Sequence, residues 1–304
     1  MNSFRDQAFF VALWLRVKLC SRELSNLFHT KPQSHKDVDV LITIVSPKPD
    51  DGYTNCMDVL PTADELVLYD QVSALAAELW AESREIEGLN TDPKMFSIML
   101  FSRLWSNHRG FTVLWNNKLY LEADIVLRSG VETAICIAAN FKLRNAFVTL
   151  MKQDAAFTIL GQIKIHRDNG ETELVRDAEE ALRSLQARIP TGLKAAKLDW
   201  KRLAAEGGSP QLYDYHRHLS GVSSHVTGFS ILRNISGSDD IEITRNEINA
   251  LTRKMHLMMM AGATLQGSLI HSGMIANAVA AELAFDLTNQ LAEISMYWPG
   301  VESE

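Results

Sequence analysis

The stretch Leu119-Tyr-Leu-Glu-Ala-Asp-Ile-Val-Leu-Arg-Ser-Gly-Val-Glu-Thr-Ala-Ile-Cys-Ile-Ala-Ala-Asn-Phe-Lys-Leu143 decides the fold. It is the most apolar helical segment of the chain, and a helix that is apolar on most sides sits in the middle of a bundle. Its polar exceptions fall in one line. Asp124, Arg128 and Glu132 lie four residues apart, so each advances only about 40° around the axis. Arg128 stands between two carboxylates, with Ile125, Leu127, Val131, Ile135, Cys136 and Ile137 around them. Charges in such surroundings are costly unless they find partners. The stripe reads either as an ion-pair ladder that fixes packing or as the lining of a ligand site.

Outward from this segment the helical period dominates. Thr62 with Glu65 forms a capping box for a helix running to about Glu87. Asp92 caps the next helix, with Pro93 at its first position. That helix turns Phe96, Met99, Leu100, Leu104, Phe111 and Leu114 toward the core. Helices follow over Asn145–Ile165 and Glu171–Ile189, with a short basic one over Leu193–Ala205. Another covers Tyr213–Ser220, and a long helical stretch runs from Arg245 to Met296. Asn234–Asp240 reads as a polar loop.

Residues 1–20 read as an amphipathic helix. Pro32, Pro47, Pro49 and Pro61 then break up residues 21–66, around a strand-like Val38–Val45. The expectation is an all-α, multi-helix bundle of about eight helices over residues 67–304. A less regular N-terminal appendage covers residues 1–66.

Composition narrows the function classes. At 46% hydrophobic and 22% charged residues, wholesale disorder is not expected. A net charge of −7 argues against a protein that coats nucleic acid through a basic face. Cys20, Cys56 and Cys136 show no metal-like spacing, which fits a reducing cytoplasm. The apolar run Phe9–Leu15 is closed at once by Arg16 and Lys18, with no cleavage site, so export is not expected. Met255–Ala281 lacks acidic and basic residues but carries His256, Thr264, Gln266, His271 and Asn277. It reads as a central bundle helix, and no membrane span is expected.

A second polar cluster lies about 90 residues after the first, in Tyr213-Asp-Tyr-His-Arg-His-Leu-Ser-Gly-Val-Ser-Ser-His225. Leu212, Tyr215, Leu219 and Val222 mark its core face. Gly221 ends the helix, which leaves His225 free to turn inward and move a proton near neutral pH. The expectation is that Glu132 and His225 share one site. A Ser220–His225 nucleophile pair lacks any sign of a strained elbow. His216 and His218 are two apart and point to different sides, so a metal site on His216, His218, His225 and Glu132 is disfavoured. No metal and no cofactor is expected. Lys194, Lys197 and Lys201, beside Trp200 and Arg202, are the best local candidates for phosphate contacts.

Arg128-Ser-Gly-Val-Glu132 and Tyr215-His-Arg217-His-Leu-Ser220-Gly-Val-Ser-Ser-His225 resemble the two signatures of a mainly bacterial helical family, domain-of-unknown-function family 5677. Here His216 stands between Tyr215 and Arg217, and Val226 replaces the proline that often follows the family's histidine. The likeness spans roughly residues 95–235 and implies a helical fold without an assigned activity. A looser resemblance is to HEPN ribonucleases of toxin and phage-defence systems, which place four to six residues between their arginine and histidine. Arg103-Leu-Trp-Ser-Asn-His108 fits that spacing, while seven residues stand between Arg217 and His225.

Two readings follow. In the first, Arg128, Glu132, Asp124, Tyr215 and Ser220, with Arg217 and His225, bind a ligand or protein partner. In the second, Arg217 and His225, or Arg103 and His108, cleave RNA without metal, across a homodimer as the HEPN resemblance implies. The first expects a paired, closed cluster. The second expects Arg and His in an open basic cleft.

Overall fold

A computed structural model describes residues 60–88, 92–221 and 239–296, and in the last stretch the side chains of residues 251–295. These residues form an all-α bundle. Among them are nine helices and no strand: α1 (Ala63–Ser83), α2 (Pro93–Asn116), α3 (Tyr120–Leu143), α4 (Asn145–Asp168), α5 (Thr172–Gln186), α6 (Trp200–Glu206), α7 (Pro210–Leu219), α8 (Asp239–Ile275) and α9 (Ala278–Met296). None is long and apolar enough to cross a membrane. The amphipathic segment 1–20 and the strand-like Val38–Val45 lie outside the described residues.

The helix starts follow their capping chemistry. Thr62 and Glu65 form a reciprocal box: Thr62 N–H donates to Glu65 Oε2 (2.8 Å), and Glu65 N–H to Thr62 Oγ1 (3.2 Å). Asp92 Oδ1 accepts from Lys94 N–H (2.8 Å), with Pro93 opening α2. Asp199 Oδ1 accepts from Arg202 N–H (3.0 Å) at the start of α6.

The chain divides into two compact units. The smaller comprises, among the described residues, 60–69, 239–258 and 289–296. Within it, Lys254 Nζ pairs with Glu65 Oε1 at 3.0 Å, both side chains almost fully buried. Glu65 thus caps α1 with one oxygen and neutralises a buried ammonium with the other.

The larger unit comprises, among the described residues, 70–88, 92–221 and 259–288. Its centre is α3, where Leu127, Val131, Ala134, Ile135, Ile137 and Ala139 are fully buried. Two glycines allow close approach to this core. A Cβ on Gly207 would stand 2.9 Å from the Ala139 backbone nitrogen, so the end of α6 packs directly on the α3 main chain. A Cβ on Gly267 would meet Leu104 Cδ2 at 2.2 Å.

Three elements differ from expectation. In α2, Leu104 and Phe111 are buried, but Met99 is 45% exposed, and Ser97 and His108 occupy the inner face. The expected helix Leu193–Ala205 is helical only from Trp200 onward. Residues before it run extended along α4: Ala196 N–H donates to Gln153 O (3.2 Å), Gln153 Nε2 to Lys194 O (2.7 Å), and Leu198 N–H to Asp154 Oδ1 (2.9 Å). The lysines therefore do not form a helical stripe. The stretch Arg245–Met296 is two helices, broken at Ala276 (φ 62°) and Asn277, whose Oδ1 accepts from Ala280 N–H (3.0 Å).

Candidate functional site

Asp124, Arg128 and Glu132 stand on α3, four residues apart. Glu132 Oε1 lies 3.1 Å from Arg128 Nη2, an i,i+4 ion pair with both side chains about a quarter exposed. Asp124 is buried. The same Oε1 of Glu132 lies 3.1 Å from Nε2 of His216 on α7, and Arg128 Nη2 lies 3.4 Å from that nitrogen. One carboxylate oxygen therefore serves a guanidinium and an imidazole from different helices.

The two polar clusters meet, but through His216. Arg217 is exposed. Ser220 Oγ donates backward to His216 O (2.6 Å), closing the last turn rather than facing a reaction centre. His225 lies outside the described residues. The sequence reading disfavours a metal site on His216 and His218 because histidines two apart point to different sides. That geometry is what singles it out: His216 is buried against α3, and its neighbours point elsewhere.

Aromatic rings fix the imidazole. Trp200 of α6 lies 5.5 Å from it, centroid to centroid, and Tyr213 lies stacked at 5.9 Å. Tyr215 is 1% exposed, and burial raises its phenol far above the ordinary tyrosine range, followed by the repulsion of Asp214. It stays a neutral hydroxyl. Among the described residues, Arg128 Nε, His216 Nδ1 and Tyr215 Oη are buried and have no hydrogen-bond partner.

Arg103 and His108 differ in their surroundings. Arg103 is exposed and donates to Ser129 Oγ (3.4 Å). His108 is buried, with Nε2 2.7 Å from Ser73 Oγ and Nδ1 2.9 Å from Thr264 Oγ1. Burial lowers its pKa to about 4, so both ring nitrogens serve hydroxyls of neighbouring helices and the ring is neutral. Residues five apart on a helix differ by about 140°, so the two side chains leave α2 in different directions.

A second buried histidine repeats this arrangement. His271 of α8 bonds Ser83 of α1 through Nε2 (2.9 Å) and Ser97 of α2 through Nδ1 (2.8 Å), and stacks on Phe101 at 4.5 Å. Ser83 Oγ donates its own proton to Leu79 O (2.6 Å), so it accepts from His271. The proton of His271 therefore sits on Nε2, and Nδ1 accepts from Ser97. Nothing in the sequence pattern marks this pairing, because its partners lie 174 and 188 residues away.

Cys136 is buried, and burial, followed by the nearby Glu132 carboxylate, pushes its thiol up to about 12, which makes it a poor nucleophile. Among the described residues, no three His, Cys, Asp or Glu side chains gather as a metal site would require. Compared with protein-family models, with curated proteins and with solved structures, the chain matches none.

Proposed function

We propose that the Arg128–Glu132–His216 cluster binds a small hydroxyl-bearing ligand, or such a group on a protein partner, without catalysis of its own. One observation carries this reading. Arg128 Nε and His216 Nδ1 are buried and unpartnered beside the paired atoms Arg128 Nη2, Glu132 Oε1 and His216 Nε2. A buried unsatisfied polar group costs about 1–3 kcal/mol, which a bound group can recover. The Glu132 carboxylate 3.1 Å from Nε2 draws the imidazole proton to that nitrogen. Nδ1 then offers a lone pair, while Arg128 Nε offers a proton. A hydroxyl supplies the complement of both.

The pairing of Arg128 with Glu132, and the neutral, enclosed state of His108, favour this reading over an RNA-cleaving centre. The segments that resemble domain-of-unknown-function family 5677 supply the cluster, and membership of that family is part of the proposal.

The test is a melting-temperature screen against hydroxylated small molecules, using wild type, His216→Ala and Arg128→Met. A shift in wild type that both variants lose, with their helix content intact by circular dichroism, is the expected result. No shift with any compound, together with RNA cleavage in EDTA that His225→Ala abolishes, would replace this reading with the nuclease.

A further inference from the structure

We infer a second binding site, on the other side of Trp200, that takes a small planar aromatic anion. The site is a groove of about 280 Å³ between α4 and the extended segment that leads into α6. Two aromatic side chains line it, Phe157 and Trp200. Phe157 is 47% exposed, so its ring is accessible from the groove. Gly161 also lines the groove, and a Cβ built there would meet nothing within 4 Å. The α4 backbone is thus open to close approach at that point. Asp154, Thr158, Lys197 and Leu198 complete the wall.

The wall is fixed in place. Leu198 N–H is held by Asp154, and the segment just before it is held by both backbone and side chain of Gln153. The groove therefore does not have to be assembled when a ligand arrives, which lowers the cost of binding.

Charge selects the occupant. Lys197 lines this groove and an adjoining one of about 230 Å³. The carboxylates around it keep their charge, but each is held by a donor other than Lys197. Asp154 accepts from Leu198 N–H, Asp199 caps α6, and Glu206 pairs with Arg202 at 3.0 Å. Among the described residues, the Lys197 ammonium has no hydrogen-bond or ion-pair partner. An aromatic wall, an open backbone and an uncommitted cation together fit a flat ring carrying one acidic group. The volume lies at the lower end of small-molecule sites, which suits one ring system and excludes a dinucleotide. This inference does not rest on the Arg128–Glu132–His216 reading, since no residue of that cluster lines the groove.

Two sources share this chemistry, an aromatic carboxylate and a nucleoside monophosphate. The experiment titrates the full chain with 2-naphthoate and with adenosine monophosphate, read by saturation-transfer NMR. Cyclohexanecarboxylate, adenosine and inorganic phosphate are the controls. Saturable binding of at least one aromatic anion is expected, with all three controls at least about tenfold weaker, the size of one charge-assisted contact. Lys197→Gln and Phe157→Ala should each weaken binding by about tenfold. Both side chains are exposed, so neither change reaches the core. Trp200→Phe should retain binding, and Arg128→Met should leave it within about twofold. Which anion binds more tightly identifies the source. The proposal is overturned if neither anion saturates, if cyclohexanecarboxylate binds as well, or if both Lys197→Gln and Phe157→Ala bind like wild type.

Discussion

Glu132 holds two partners with one oxygen, and that sharing is measurable. Its Oε1 is 3.1 Å from both Arg128 Nη2 and His216 Nε2. The side chains of Arg128 and Glu132 are about a quarter exposed, so solvent screens part of the attraction. A double-mutant cycle of Glu132→Ala and His216→Ala, by urea denaturation, should give a coupling of about 1 kcal/mol. Additive effects would show that the contact between α3 and α7 holds nothing. The α3 half of this cluster was legible in the sequence, because a spacing of four fixes one face of a helix. The α7 half was not. His216, Arg217 and His218 follow one another at about 100° intervals, and the sequence does not say which of them meets α3.

Elements obey the same limit: local rules place their starts, and tertiary contacts place their faces. The Thr62/Glu65 and Asp92/Pro93 caps were readable because capping involves residues within one turn. The break at Ala276–Asn277 was passed over although Asn277 is an N-cap residue, because Ala276, at φ 62°, is a strong helix former in an unbroken apolar pattern. The segment before α6 was misread as helix because its backbone partners lie on α4, some 40 residues away. Glycines test the packing side of this argument. At Gly207 an added Cβ meets α3 main chain at 2.9 Å and cannot be relieved by a rotamer change. Gly207→Ala should cost about 1–3 kcal/mol, as overpacking does. Gly161 lies inside α4 with open space around it, so Gly161→Ala should stabilise by about 0.5–1 kcal/mol. Thermal denaturation of both variants checks the pair. Equal effects would mean that helix propensity, and not contact with α3, sets the outcome at both sites.

In the larger unit as a whole, two histidines tie the same three helices together in opposite senses. His108 belongs to α2 and reaches α1 and α8 through Ser73 and Thr264. His271 belongs to α8 and reaches α1 and α2 through Ser83 and Ser97. The helical pattern foretold a bundle, but period alone treats these polar residues as exceptions to a core rather than as its fasteners. Each donor and acceptor fits a neutral ring, and burial lowers the two pKa values to about 4 and about 3. The ordinary histidine value of about 6.5 holds in the unfolded chain. Above pH 6.5 both states bind no proton at these sites, and stability is unaffected. Below it the unfolded chain gains protons that the folded rings refuse, so stability falls with every step toward acid until the folded values are reached. The loss should be on the order of 2 kcal/mol per histidine at pH 5. Urea midpoints between pH 8 and pH 5 should therefore drop steeply. In His271→Gln, which keeps hydrogen-bonding groups but cannot take up the proton, the midpoint at pH 8 should fall and the slope below pH 6.5 should lessen by about half. An unchanged slope in that variant would show that the acid sensitivity arises elsewhere and that the seam of α1, α2 and α8 is not held by neutral histidines.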